Sequence, residues 1–394
     1  MFEEINRLAI KLYSGCNMNC CYCFQSYDEK YKPKTFKDND KLLKFIQQLP
    51  LANKVIVTFC GGEMTLRPDL IKDCIKTVFT KIERMIEVKF EYAIITNGTN
   101  LDTLFELFDD HFLNPSLCNF SWDGLYSVSL SRKSLGKYDD QYFLNAIKRL
   151  GQSIYNDRLS VVHALTPDTI SYLYESFKYC LDNNVTNIGY YPIHEASYDN
   201  DFCQIFSQQL DKILSMVSKT TIWVNFFNLE MMNCSQSNPL YFTCTKLGYN
   251  YYINPYGEIY PCIYFGDNKA YKLGDLDNGI DNAKQQAFID DYLHYPNCDY
   301  RNCKCSFCGE CPAACYVNNG NMNHKFKNLC QIRKIEQALF NKHKKNIIEN
   351  PYLLNVYSKE DAIQNNKNLI MKSCDFSKVY SEIHPPHIDF IRNW

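Results

Sequence analysis

The stretch GCNMNCCYCF near the start of the chain sets Cys16, Cys20 and Cys23 in the spacing C-x3-C-x2-C. Three thiolates on one short loop can hold three corners of an iron–sulfur cube and leave the fourth iron open to a ligand. The preceding run, Leu8 to Tyr13, reads as a strand. The cysteines would then stand at its C-terminal end, where barrel folds carry their chemistry. A zinc site would call for a fourth Cys or His, often in a second paired knuckle. A disulfide framework would imply export, and the N-terminus MFEEINRLAI has no signal-peptide pattern. Cys21 lies inside the motif without disturbing its spacing and reads as a bystander or packing thiol.

Composition narrows the setting. A chain of 394 residues is long for one domain and predicts a large domain plus a smaller one. A hydrophobic content of 46% is enough for a sizeable core. The formal charge of −2, from 42 basic and 44 acidic residues, argues against a nucleic-acid partner. No apolar run approaches the roughly 18 residues of a membrane span. Twenty cysteines without an export signal predict a cytoplasmic protein whose thiols are free or bound to metal.

Strand-like and helix-like runs alternate through the first half. Strands are predicted at Leu8–Tyr13, Lys54–Phe59, Phe90–Thr96, Asn119–Trp122, Leu159–Leu165 and Asn187–Pro192. Helices fall between them, among them Asp40–Gln48, Arg67–Glu87 and Asp140–Asn156. This alternation predicts a parallel sheet with crossover helices, an α/β fold. Six units make a partial (β/α)6, TIM-like barrel. Beyond Pro192 the pattern changes to a helix at Asp201–Ser218 and a hairpin around NPYGEIYPC, with strands Tyr249–Ile253 and Glu258–Pro261. A cysteine cluster, Asn297–Cys315, comes next. A helix at Leu329–Asn346 and a polar tail close the chain.

Three further motifs end successive strands. They are Gly61-Gly62-Glu63, Thr96-Asn97-Gly98-Thr99 and Ser121-Trp122-Asp123-Gly124, with Arg132 eleven residues after Ser121. Each alone is an ordinary turn. Together they would converge on one rim. Paired glycines let backbone approach a ligand closely, and a glutamate can pair with an ammonium group.

On these motifs the chain, from Leu8 to Pro192, resembles the radical SAM superfamily. The resemblance implies a [4Fe–4S] cluster on Cys16, Cys20 and Cys23 whose open iron binds S-adenosylmethionine. It implies Tyr22 near the adenine; Gly61, Gly62 and Glu63 at the methionine amine; Ser121 and Asp123 near the ribose and carboxylate; and Arg132 at the carboxylate. Asn97 would join this cofactor rim. The implied chemistry is one-electron cleavage of the sulfonium to a 5′-deoxyadenosyl radical, which the cofactors perform while the protein orients and shields them. A reductant such as flavodoxin or ferredoxin would supply the electron.

Nine cysteines lie between Cys244 and Cys330. Taken alone, Cys308-x2-Cys311 fits zinc as well as iron–sulfur. The order Cys244, Gly257-x4-Cys262, a tight group and Cys330 resembles the SPASM extension of radical SAM enzymes. The resemblance implies two auxiliary [4Fe–4S] clusters. One would use Cys244, Cys262 and Cys315, with an open iron or Cys298. The other would use Cys303 or Cys305, Cys311 and Cys330, with Cys308 as a rival. Where this extension usually opens its tight group with C-x2-C, the chain has Cys303-x-Cys305.

The expected organisation is a barrel over 1–200, a bridge over 201–240, an auxiliary-cluster domain over 241–332, and a helix and tail over 333–394. The expected activity is oxidative modification of a peptide or protein, such as a thioether or carbon–carbon crosslink in a ribosomal peptide. Sulfatase-maturase-like formylglycine formation is a second reading, weakened because Ile263 stands where those enzymes carry an aspartate. Small-molecule dehydrogenation is a third, and a SAM-binding iron–sulfur scaffold or sensor is the non-enzymatic one. With fifteen residues before Cys16, no leader-binding domain is expected ahead of the barrel, so a separate protein or the tail beyond Cys330 would hold a leader. His384 and His387 in the tail read as surface histidines. Cys60, Cys74, Cys118, Cys180, Cys203 and Cys234 read as packing thiols.

Overall fold

Runs such as VIVTF and LSVVHAL are apolar on both faces of a strand, which suits strands covered on both sides in a parallel α/β sheet. The computed structural model describes residues 4–25, 32–194, 196–229, 250–266, 268–293, 312–320, 322 and 327–353. The strands begin with β1 (Ile5–Ile10), β2 (Met18–Cys20), β3 (Leu51–Phe59), β4 (Lys89–Thr96), β5 (Leu117–Ser121) and β6 (Arg132–Ser134). They continue with β7 (Leu159–Leu165), β8 (Asn187–Pro192), β9 (Asn225–Phe226), β10 (Tyr251–Ile253) and β11 (Glu258–Tyr260). Two short strands close the series, β12 (Gly274–Asp275) and β13 (Gly279–Ile280).

The chain forms two compact units from interleaved segments. The first unit takes Met1–Ser121, Arg132–Ala146 and Thr245–Tyr295. Its sheet runs β13-β12-β11-β10-β1-β3-β4-β5. Strands β10, β1, β3, β4 and β5 are parallel, and β11 to β13 fold back antiparallel. Helices at Asn39–Gln47 and Leu101–Asp109 bury one apolar face each. The predicted hairpin is present, and β10 adds to the edge of β1 with Leu8 opposite Tyr251 and Ile10 opposite Ile253. The segment that carries Cys262 thus continues the sheet that carries Cys16.

The second unit takes Trp122–Ser131, Ile147–Cys244 and Pro296–Trp394. It holds the parallel strands β7, β8 and β9 and the helices Leu173–Asp182, Asn200–Val217 and Lys327–Glu349. Asp199 caps the second helix by accepting from the Phe202 N–H. The third helix packs on it, with Lys342 and His343 both on Asp211.

Six predicted strands are found, two with unchanged ends. The strand expected at Leu8–Tyr13 begins earlier and stops at Ile10, after which Tyr13 makes a lone bridge to Thr35. The long helix expected at Arg67–Glu87 is three pieces. Pro68 opens an α-helix to Cys74, one widened turn covers Ile75–Phe79, and α-helix resumes over Thr80–Glu83. It ends at Glu83, whose carboxylate accepts the Phe90 N–H near the head of β4. No described helix is long and apolar enough to cross a membrane.

Candidate functional site

The C-terminal ends of β1, β3 and β4 carry the three cysteines, the GGE segment and Asn97 into one corner of the first unit. The sulfurs of Cys16, Cys20 and Cys23 belong to half-buried residues. The cysteines of the core differ from them. Cys60, Cys74, Cys118 and Cys180 are buried, and burial pushes the Cys60 thiol up to about 12. Cys203 is half-buried and donates to Gln331, and Cys21 is exposed, which rules out packing for it.

The glycines are spent on the loop that leads into Cys16. A Cβ on Gly62 would stand 2.1 Å from the Gly15 carbonyl oxygen and 2.5 Å from that of Ser14. The Gly62 N–H bonds Tyr13 O and the Glu63 N–H bonds Gly15 O, at 3.3 and 2.8 Å. The close approach here is therefore backbone to backbone. Gln25 reaches back to the Ser14 carbonyl from the far side of the cysteines.

Glu63 is fully buried and accepts four hydrogen bonds. Its Oε1 takes the Thr65 N–H (3.0 Å), the Thr65 hydroxyl (2.7 Å) and the Thr96 hydroxyl (2.8 Å), and Oε2 takes the Asn97 N–H (2.6 Å). Burial raises its pKa, and these donors oppose that rise. Cys16 is raised as well, first by burial and then by the nearby Glu63 charge, with Cys23 adding to it.

Arg132 enters this corner through a pairing that the sequence did not reveal. Strand β2 lies inside the cysteine motif and pairs antiparallel with β6, setting Cys20 opposite Arg132. The buried guanidinium donates to the Tyr22 hydroxyl (3.4 Å) and to the Asn97 carbonyl (3.3 Å). Thr96 and Thr99, which flank Asn97 in its motif, take part as expected of that rim, whereas Asn17 and Thr65 join the site unannounced. The Asn97–Thr99 spacing was the available sign for Thr99, because an Asx side chain bonds the N–H two residues on.

The other expected residues are distributed. Ser121 ends β5 in the first unit. Asp123 belongs to the second unit, where it accepts from the Ser131 hydroxyl (3.0 Å) and the Ala164 N–H (3.4 Å). Cys262 caps a short helical turn by accepting from the Tyr264 N–H, and the Tyr264 ring meets Phe24, next to Cys23, at 4.6 Å. Cys315 and Cys330 sit on two helices of the second unit. Cys244, Cys298, Cys303, Cys305, Cys308, Cys311, His384 and His387 lie outside the described residues, as does Cys234.

Among the described residues, no three His, Cys, Asp or Glu side chains converge as they would around a single ion. The cysteine loop suits a different group. It offers soft thiol donors alone, half-exposed, two of them close enough to influence each other's charge. That donor set fits an iron–sulfur cube held at its corners.

Residues 10–180 match the family model described as the radical SAM superfamily. The chain therefore carries a radical SAM domain. Such a domain implies an enzyme that uses S-adenosylmethionine and a [4Fe–4S] cluster. Over 377 residues the chain is 22% identical to the radical SAM cyclopropyl synthase TigE of Paramaledivibacter caminithermalis, covering 88% of this chain and 76% of TigE. The AdoMet-bound structure of anSMEcpe superposes with a TM-score of 0.69 at 18% identity, covering 86% of this chain and 98% of that one. Streptococcus suis SuiB bound to its precursor peptide SuiA gives 0.56 at 17%, covering 82% and 74%. These two likenesses extend the shared fold well beyond the family match.

Proposed function

We propose that this radical SAM enzyme oxidatively modifies a peptide or protein, forming a crosslink such as a thioether or carbon–carbon bond. The observation that carries the cofactor half of this reading is the corner built by Cys16, Glu63, Asn97 and Arg132 at the ends of parallel strands. Cys16, Cys20 and Cys23 would hold the cluster. When bound, the cluster and S-adenosylmethionine supply one-electron, hydrogen-abstracting chemistry at a site from which water must be kept. Glu63 fixes the strand ends around the cysteines, and its Oε2, which accepts one bond, keeps acceptor capacity for an ammonium group. Arg132 ties Tyr22, from the cysteine loop, to Asn97.

The peptide half is supported by two neighbours of like fold, anSMEcpe with a bound Cp18Cys peptide and SuiB with SuiA. The cysteines from Cys244 to Cys330 support auxiliary [4Fe–4S] clusters of SPASM type. A flavodoxin or ferredoxin would supply the electron, and a separate protein would present a leader. The test is anaerobic incubation of the reduced, reconstituted enzyme with S-adenosylmethionine and a peptide encoded beside its gene. The expected result is 5′-deoxyadenosine together with a peptide that has lost hydrogen. Deoxyadenosine without any change in peptide mass would sink the peptide assignment and leave the radical enzyme standing.

A further inference from the structure

Every polar atom of Asn97 has a partner. Its N–H donates to Glu63 Oε2, and its carbonyl accepts from Arg132 Nη2. Its side-chain Oδ1 accepts from the Thr99 N–H (3.0 Å) and the Thr99 hydroxyl (2.7 Å). Its Nδ2 donates to Asn17 Oδ1 (2.9 Å) and to Cys16 Sγ (3.6 Å). An amide has two donors and two acceptor sites, so this side chain is full. Its orientation is fixed as well. The Thr99 backbone N–H can only donate, so it must face the amide oxygen. The NH2 group is thereby turned to the sulfur.

We propose that Asn97 is a positioning residue for the Cys16 thiolate and not a contact of S-adenosylmethionine. This rests on the reading that Cys16, Cys20 and Cys23 hold a [4Fe–4S] cluster. Cys16 Sγ receives two N–H groups, one from Met18 in its own loop (3.4 Å) and one from Asn97 at the end of β4. Hydrogen bonds to a ligating sulfur withdraw electron density from it and favour the reduced cluster. Asn17, from inside the cysteine motif, holds the same NH2 group and also bonds Thr99 (2.9 Å), which locks the donor in place.

The experiment is a redox titration followed by electron paramagnetic resonance on the full chain with all its clusters. The signal to follow is the one that changes when S-adenosylmethionine is added, because only a cluster with an open iron answers to it. N97D keeps the shape and the Thr99 contacts but replaces the donor with an acceptor. Its midpoint is expected at a more negative potential than that of the unaltered enzyme, with N97S shifted the same way by less. Affinity for S-adenosylmethionine, read by equilibrium binding, should stay within about threefold. An unchanged midpoint with affinity weakened roughly tenfold or more would overturn the proposal and make Asn97 a cofactor contact. Should N97D fail to retain iron, N17A carries the test, since it frees the amide while leaving all three cysteines; an unmoved midpoint there overturns the proposal too. Absence of any responsive signal in the unaltered enzyme would overturn the cluster reading on which this rests.

Discussion

The rim of the first unit and the interior of both units hold the same reactive residue types in opposite states. At the rim, Cys16, Cys20 and Cys23 are half-exposed, and the buried polar groups beside them are tied into a continuous set of hydrogen bonds from Glu63 through Asn97 to Cys16. In the interior, Cys60, Cys74, Cys118 and Cys180 are sealed in apolar surroundings that raise their pKa values. His163 on β7 is sealed too. Its ring lies 5.4 Å from that of Trp122 and 6.3 Å from that of Phe177, and neither nitrogen has a hydrogen bond of normal geometry. Burial drives its pKa down to about 3 against a weaker pull from the Trp122 backbone, so the ring is neutral. Chemistry follows access and partners, and residue type alone does not decide it.

The sharpest way to break this contrast is to remove thiols from each region. Alanine at Cys16, Cys20 or Cys23 should abolish formation of 5′-deoxyadenosine and lower the iron content by about four atoms per chain. Retention of that iron in all three variants, measured by colorimetric iron assay, would remove the rim's special status. Glu63→Ala comes next. It leaves four buried donors without an acceptor, so urea unfolding should show a loss on the order of 3 kcal/mol or more. A loss under about 1 kcal/mol would mean that water replaces the carboxylate and that the corner is less closed than described.

Cys118→Ala should cost about 1 kcal/mol through a small cavity and leave iron content untouched. Any fall in iron would blur the line between the two regions. His163→Phe should have the smallest effect, within about 1 kcal/mol near neutral pH, because no hydrogen bond of normal geometry is lost. The sign on the acid side follows from linkage. The folded pKa is depressed, so between the ordinary value near 6.5 and about 3 the unfolded chain binds the proton first. Stability contributed by the neutral ring is present above that window and drains away as pH falls through it. The phenylalanine variant should therefore lose less stability than the parent between pH 6.5 and 3 in unfolding curves; parallel curves would show that the ring is better solvated than its burial suggests.

Much of the frame was legible in the chain. The strands at Leu159–Leu165 and Asn187–Pro192 were legible to the residue, because each is a short run rich in apolar and aromatic residues bounded by polar turn-forming residues. The Pro255–Gly257 turn was legible because Pro and Gly favour turns, and Gly257 takes the positive φ that other residues resist. The break at Ile75–Phe79 was not legible, since IKTVF holds no Gly or Pro to mark an interruption in the helical run. Nor was the β2–β6 pairing, because three residues of MNC and RKS carry no strand period and become strands only by meeting.

The same division holds for the site. The sequence by itself determined which atoms are available: three thiols at one strand's end, a glutamate after two glycines, an amide after the next strand. Covalent spacing along a short loop sets those. The tertiary structure decided what they do to one another. It put Gly62 against Gly15 where no side chain fits, set Arg132 across from Cys20, and filled both ends of the Asn97 amide so that its NH2 group is left for Cys16. Hydrogen-bond partners lie tens of residues apart in the chain, and a buried polar group takes whichever one folding brings within about 3 Å.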